Sequence, residues 1–551
     1  MRSVWVVVVV AAIALFAGLD RAAIGDSDEA YYAEAVREML ESGDLLTPRY
    51  NYANRFQKPI LYYWAAAAAA FTVGGIGEAS ARLPAALSGF GLAILAWLVG
   101  RRWYNESAGV LAGLILSTCL GCAAIARLAL PDLPLAFFIT LSVVAGCMAV
   151  LEEAPRPALL ILAGAASGAA FLTKGPIGLA LPALVIVSLV GIERRWRHLR
   201  PGHVVVAGVV WALIACPWYI EMARVHGTAY LQSFFVQDNL ERFATNRFNY
   251  PRSFWFYLPI VLGGLLPWSV FLPLWIPGAV RWARRQERPS RMAIRLMVWT
   301  LLPLALFTAS VGKQPRYILP LLPPLAIALG STIQARMSRS SSGRDRFLTG
   351  CGVGGGIAIA TMGILLLAVP AESLGTAAPS FAWAGWAILA AGAGVIVAAT
   401  VAWRRIPAAM ASAALVLIVS LQYGVLSLPG PEAVQLVATT LRQHLAPGVR
   451  WTTNGVFVRN LVFYVGQRQS GPFDDRELVQ FLNEGPAIAV MSETDFRRLA
   501  PLVTAPLHEI GRWQYFNVAG IRVGVVIEQN PERELRTIVL VSNRAAPGLT
   551  P

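Results

Sequence analysis

The stretch KPILYYWAAAAAAFTV, residues 58–73, decides how the chain is threaded. It is apolar enough to suggest a membrane crossing but shorter than the roughly 20 residues a spanning helix needs. The rest of the sequence sets the terms for reading it. Of 551 residues, 56% are hydrophobic and only 14% charged, where a soluble protein carries roughly 25% charged residues. That composition belongs to an integral membrane protein. Thirteen further apolar runs read as spans: 3–20, 80–100, 106–126, 133–150, 158–173, 175–192, 204–222, 255–276, 296–312, 317–334, 347–369, 380–403 and 407–427. The first has a short basic start, a run of valines and no small-residue cleavage pattern, so it reads as an uncleaved anchor.

With the N-terminus inside, the arginine tracts Arg101-Arg102, 193–200, 281–295, 336–346 and Arg404-Arg405 all fall on the cytoplasmic side, as the positive-inside rule requires. Counting 60–75 as a fourteenth span would invert every later loop and put those arginines outside. The stretch is therefore predicted to be a short helix at the outer interface, with Tyr62, Tyr63 and Trp64 at headgroup depth. The net charge of +15 is then topological, and nucleic acid is excluded as a partner. The five cysteines lie in or beside apolar runs and read as small buried hydrophobes.

Only three of the 46 basic residues are lysine: Lys58, Lys174 and Lys313. All three land outside, where topology does not ask for them, and each is followed within two residues by a proline. A compact ammonium at an outer helix end is a point-charge ligand for an anion. Two readings stand: the lysines snorkel to headgroups, or they converge on one phosphate.

Two outer loops are long, 21–79 and 223–254, and loops of that length are usually functional. The first contains DSDEAYYAEAVREMLESGD. Tyr32, Val36, Met39 and Leu40 recur at helical spacing with Glu34, Arg37, Glu38 and Glu41 opposite, which predicts an amphipathic helix on the membrane face. Asp26 or Ser27 caps it, and Asp28 and Glu29 suit its positive end; a catalytic role for these acids is the competing reading. In the second loop Arg242, Arg247 and Arg252 lie on the side topology disfavours, either snorkelling beside aromatics or gripping phosphate. Asp132 lies between two spans, one turn from Arg127, as a salt bridge or a site acid. Cations for a phosphate leaving group beside carboxylates suit group transfer from a lipid phosphate. A flippase or transporter would carry ionisable residues near mid-membrane and inverted repeats, and neither is visible; a lipid-binding receptor would share the cations without turnover.

The motifs DEAYYAEAVREMLESGD, FQKPILYYW, ARLPAALSG, LTKGP, ERF, FWFYLPIVLGGLLPWS and GKQPRYILPLLPPLA together resemble the GT-C membrane glycosyltransferases. Within that class the chain is similar to the bacterial aminoarabinose transferases that modify lipid A, relatives of the protein O-mannosyltransferases. The resemblance covers nearly the whole chain. It implies an all-α polytopic membrane protein with a GT-C fold and about 13 transmembrane helices. It implies transfer of 4-amino-4-deoxy-L-arabinose from undecaprenyl phosphate to lipid A phosphates on the periplasmic face of the inner membrane, with polymyxin resistance as the outcome. It places the key aspartate on Asp28, with Glu29 beside it, and phosphate contacts on Lys58, Arg242 and Tyr317. Lys174, Lys313 and Arg316 are further candidates for the phosphate, and Asp132 for the acids. No metal is needed to bridge a diphosphate, so no cofactor is expected. Gln57 departs from the acid that usually precedes the KP lysine, which leaves the sugar open; a mannose or other-sugar transferase is the same-class alternative.

From about 430 the character changes. PEAVQLVATTLRQHL, VFVRNLVFYVG, DDRELVQFLNEG, AIAVMS and IRVGVVIEQ predict helices alternating with short strands, a small α/β domain over 430–551 following a membrane domain over 1–429. After an odd number of spans that domain sits outside, where it covers the site, engages the acceptor's head or simply stabilises the fold.

Overall fold

The computed structural model describes residues 2–241, 245, 252–286, 288–339, 344–370, 378–426, 431–471, 473–516 and 535–544. The chain begins with α1 (Arg2–Phe16), α2 (Asp28–Ser42), a two-stranded hairpin of β1 (Arg49–Tyr50) and β2 (Ala53–Asn54), and α3 (Leu61–Val73). Next come α4 (Glu78–Trp103), α5 (Glu106–Thr118), α6 (Leu120–Ile125), α7 (Asp132–Val150), α8 (Leu159–Lys174), α9 (Ile177–Ile192) and α10 (Pro201–Leu231). Later helices, named by their ranges, include Arg291–Ala309, Leu322–Arg339, Arg346–Leu367, Ala378–Val401 and Ile406–Leu421.

Every expected apolar run contains helix, but the runs are not all unbroken spans. Among the described residues eight helices are long and apolar enough to cross a membrane, or nine if the bent pair Phe254–Gly264 and Trp268–Ala283 counts as one. The other four expected spans coincide with α1, α5, α8 and α9, helices of 13–16 residues. In two of these the helix stops early. α5 ends at Cys119, whose backbone is extended (φ −74°, ψ 142°), and Leu120 N–H donates to the Leu266 carbonyl at 2.9 Å instead of continuing the helix. α8 ends at Gly175 (φ 80°), a backbone conformation glycine reaches without strain.

Spanning helices meet through small residues, since lipid gives no hydrophobic drive for association. Helices Arg346–Leu367 and Ala378–Val401 approach so closely that a Cβ on Gly363 would sit 2.6 Å from the Leu389 nitrogen. α4 and α5 do the same at Gly100, where a Cβ would lie 2.9 Å from the Gly109 Cα.

Two expectations for the first loop need correction. α2 does not present its acidic face to solvent: Glu34 and Glu38 are buried along with Tyr32, Val36 and Met39. Its far face is covered by the β1–β2 hairpin and by the short helix Leu461–Val465 of the C-terminal region. The acids are neutralised locally: Arg37 donates to Glu34 at 2.7 Å and to Glu41 at 2.9 Å, and Tyr52 N–H reaches both Glu38 oxygens. α3 is likewise more enclosed than an interfacial helix. Tyr62 and Tyr63 are fully buried, each with its ring centre 5.3 Å from that of Tyr32; Trp64 remains partly exposed and donates to the Leu45 carbonyl at 2.8 Å.

The C-terminal region builds a four-stranded mixed sheet from β3 (Arg450–Asn454), β4 (Ala487–Ser492), β5 (His508–Phe516) and β6 (Leu535–Ser542), in the order β3-β4-β6-β5. β3 and β4 run parallel, and β6 is antiparallel to β4 and β5. Apolar β4 (AIAVMS) is central and buried on both faces, as a covered strand should be. The expected strand IRVGVVIEQ, 521–529, lies outside the described residues.

Candidate active site

One cavity of about 180 Å³ collects most of the charged residues singled out from the sequence. Helix ends deliver them. Ser27 caps α2, accepting from Glu29 N–H at 3.4 Å, so Asp28 opens the first turn. Asp132 opens α7 after Pro131, and Lys174 closes α8. Both carboxylates thus stand at helix N-termini and the ammonium at a C-terminus, the placements the helix dipole favours. Arg316 and Tyr317 come from the tight turn Pro315–Leu321, and Lys58 from the segment before α3.

The charges interlock. Lys174 Nζ contacts Asp132 Oδ1 at 2.5 Å and lies 4.9 Å from the centre of the Tyr317 ring. Arg316 donates to Asp28 and sits 3.5 Å from the second Asp132 oxygen. Partial burial would raise the Asp28 pKa, but the Arg316 guanidinium, with Arg55 and Lys58 behind it, holds it below the usual carboxylate value. Asp28 is therefore an anion at neutral pH, facing a wall of cations. Arg55 stacks over Tyr31, its guanidinium carbon 4.1 Å from the ring centre, and its buried Nε has no hydrogen-bond partner among the described residues.

Glu29, next to Asp28, is placed differently. It is 1% exposed, is not among the residues lining the cavity, and four contacts from N–H groups converge on its two oxygens. Arg82 Nε donates at 2.8 Å and Arg82 Nη2 at 3.3 Å, Ala129 N–H at 2.9 Å and Gly25 N–H at 2.9 Å. Arg82 also donates to the carbonyls of Leu19, Ala22 and Ala23. This pair ties the end of the α1 segment to α4 and to the loop before α7.

The C-terminal region grips the same loop from outside. Val458 N–H and Arg459 N–H donate to the two Asp26 oxygens at 3.1 and 2.8 Å, and Arg459 Nε donates to the Tyr31 hydroxyl at 3.2 Å. Asn460 donates to the Ile24 carbonyl at 2.9 Å, Ile24 N–H to the Tyr464 hydroxyl at 2.7 Å, and Ala23 N–H to Glu432 at 2.6 Å. Residues 23–26, immediately before Asp28, are held by this tail along their length.

Of the residues singled out from sequence, Asp28, Lys58, Asp132, Lys174, Arg316 and Tyr317 line the cavity together. Lys313 does not: it is buried, and its ammonium donates to the Ser310 carbonyl at 2.7 Å and the Arg252 carbonyl at 3.4 Å, pinning the turn that carries Arg316. Arg242 lies outside the described residues. The expected Arg127–Asp132 bridge is absent, because Arg127 donates to the Ala123 and Ala17 carbonyls and leaves Asp132 to Lys174. The sequence reading passed over Arg55, Tyr31, Asp238 and Asn239, which also line the cavity. Arg55 carried a usable signal, since it precedes Lys58 by three residues in the same loop. Among the described residues no group of three or more His, Cys, Asp or Glu is placed to hold a metal ion.

A helical body whose helix ends converge on a charged cavity, followed by a mixed C-terminal sheet, is a GT-C-like fold. The family described as dolichyl-phosphate-mannose-protein mannosyltransferase matches residues 7–230. More particularly, the chain is similar to the undecaprenyl phosphate-alpha-4-amino-4-deoxy-L-arabinose arabinosyl transferase of Aeromonas salmonicida, 34% identical over 318 residues. The protein of that name from Enterobacter sp. is 31% identical over 315 residues. These matches cover 57% of this chain and 57% of the Aeromonas protein, and 56% of each chain for Enterobacter. Among solved structures, ArnT from Cupriavidus metallidurans bound to undecaprenyl phosphate superposes with a TM-score of 0.76 at 26% identity, covering 99% of both chains.

Proposed function

We propose that the chain is an inverting glycosyltransferase of the bacterial inner membrane. It takes 4-amino-4-deoxy-L-arabinose from undecaprenyl phosphate and places it on lipid A phosphates, giving resistance to polymyxins. The observation that carries this reading is the meeting of Asp28, Asp132, Lys58, Lys174 and Arg316 around one cavity. The similarity to proteins named for that transfer supports it.

Breaking the anomeric C–O bond builds positive charge on the sugar and negative charge on the departing phosphate. Lys58, Lys174 and Arg316 are preorganised cations for that phosphate, and Tyr317 is within reach as a hydroxyl donor beside Lys174. Arg242, from the neighbouring loop, is assigned to the same phosphate. Arg316 pairs with Asp28; an entering phosphate competes for that guanidinium and leaves Asp28 to face the sugar. The attacking lipid A phosphate oxygen is already anionic, so Asp28 serves less as a base than as a partner for the sugar ammonium and the oxocarbenium charge. Direct attack from the opposite face inverts the anomeric centre. Glu29 holds the α2 terminus rather than touching substrate. The active site and the C-terminal domain both face the periplasm on this reading, with the arginine-rich loops inside.

Gln57 lines the cavity as an uncharged side chain and favours, as a second reading, a different sugar on the same lipid carrier. Mass spectrometry of lipid A from cells with and without the gene separates the two. A mass gain corresponding to aminoarabinose supports the first; a lipid A unchanged by the gene, with a different glycosylated product, supports the second.

A further inference from the structure

A second, open space lies away from Asp28. The helix Arg291–Ala309 and the continuous helical stretch Pro315–Arg339 each serve two sites. Leu306, Phe307 and Pro320 line the charged cavity, whereas Met297, Leu325 and Ala328 line a second, mostly apolar trough of about 940 Å³. That volume is at the upper end of the roughly 300–1,000 Å³ typical of ligand pockets. At about 1.5 Å per residue, Met297 and Phe307 stand roughly 15 Å apart along one helix, so the two spaces open toward opposite ends of the bundle.

The trough exists because the chain bends by 116° between Phe254–Gly264 and Trp268–Ala283. This leaves Trp275 and Trp282 as one wall, and Trp275 is fixed by its N–H donating to Thr332 Oγ1 at 3.0 Å. The polar end is strongly one-signed. Arg281, Arg288, Arg336 and Arg339 line it against a single carboxylate among the described residues, Asp345. That carboxylate is already committed: Arg336 contacts it at 3.1 Å, and it accepts from the N–H groups of Phe347 and Leu348. An apolar trough with a cationic mouth has the polarity of an acidic amphiphile, and guanidinium forks match phosphate oxygens.

We propose that this trough binds one anionic phospholipid of the leaflet facing away from the Asp28 cavity. The acyl chain lies between the tryptophan wall and the helix Arg291–Ala309, and the headgroup phosphate lies among the rim arginines. Such a lipid fills the gap left by the bent segment and braces two helices whose opposite ends carry the charged cavity.

The test uses the full chain in phosphatidylcholine vesicles. Brominated phosphatidylglycerol or brominated phosphatidylcholine is added at equal mole fraction, and quenching of tryptophan fluorescence is read. The expected result is excess quenching by the brominated phosphatidylglycerol. The excess is lost in Trp275→Phe with Trp282→Phe and in Arg288→Gln with Arg339→Gln, and is retained in the charge-matched control Arg197→Gln with Arg200→Gln. Equal quenching by both lipids, or an excess that disappears equally in the control, would mean only a general lipid shell and overturns the proposal. All variants are compared at matched monodispersity, so a misfolded variant is recognised before quenching is read.

Discussion

Asp28 and Glu29 are adjacent acids with opposite expected phenotypes, and Glu29→Gln exposes the difference. The Glu29 oxygens receive contacts only from N–H groups: Oε1 from Arg82 and Ala129, Oε2 from Gly25 and Arg82. An amide turns one oxygen into a donor, which must then face donors whichever way it is rotated. It also leaves the Arg82 guanidinium, 3% exposed, without its counter-charge. Breaking a buried pair by removing one partner costs about 3–5 kcal/mol. For a chain of 551 residues that corresponds to a fall in melting temperature on the order of 3–4 °C. The assay is thermal unfolding of the detergent-solubilised protein followed by size-exclusion chromatography, with transfer measured on the folded fraction. Glu29→Gln is expected to melt early while its folded fraction still transfers. Asp28→Asn is expected to melt near the parent and transfer nothing, since its side chain is half-exposed on the cavity. A Glu29→Gln protein with parental melting and no transfer would refute the structural assignment and return Glu29 to the chemistry.

Three further outcomes follow from the contacts. Arg459→Ala removes the donors to Tyr31 and the Asp26 carbonyl; it should lower kcat roughly tenfold, about 1.4 kcal/mol, with donor KM little changed, because it loosens the approach to Asp28 without touching the phosphate cations. Arg316→Gln removes the main group that depresses the Asp28 pKa. A depressed carboxylate stays charged until pH falls through its lowered pKa, so the acid limb of the pH–rate profile should move to higher pH in the variant; an unmoved limb would separate Asp28 from that titration. Glu38 behaves oppositely: burial, helped by neighbouring Glu34 and opposed by the Tyr52 N–H, pushes its carboxyl up to about 8. The stability contributed by its bound proton is complete below the ordinary carboxylate value of about 4.3 and declines as pH rises toward 8. Glu38→Gln should flatten the melting-temperature profile across that window.

The helical runs and the rare lysines were legible because both are one-dimensional signals: apolar length, and lysine set apart from the arginine tracts. That reading brought Lys58 and Lys174 toward Asp28 and Asp132 before any coordinates. What it missed depends on where chains stop and cross. Apolar length marks the runs but not that α5 ends at Cys119 or that the chain bends by 116° between Gly264 and Trp268. α2 has the charge pattern of a surface helix, but the β1–β2 hairpin and Leu461–Val465 cover it, and no periodicity within α2 records a lid supplied 400 residues later. Arg82 stands in the motif ARLPAALSG with no role attached; only the fold shows it binding three carbonyls and Glu29. Lys313 shared the placement of the other lysines yet ends on the Ser310 and Arg252 carbonyls, a destination its sequence surroundings do not record.

The most direct measurement is turnover by the purified full-length chain in proteoliposomes supplied with undecaprenyl-phosphate-linked aminoarabinose and lipid A. Release of undecaprenyl phosphate and the lipid A product are followed together by mass spectrometry. The account expects both to appear in equal amounts with the parent protein and neither to appear with Asp28→Asn or Lys58→Ala at matched folded protein. Donor left intact by the parent, or transfer undiminished in Lys58→Ala, would contradict the claim that this cavity holds the lipid phosphate during sugar transfer.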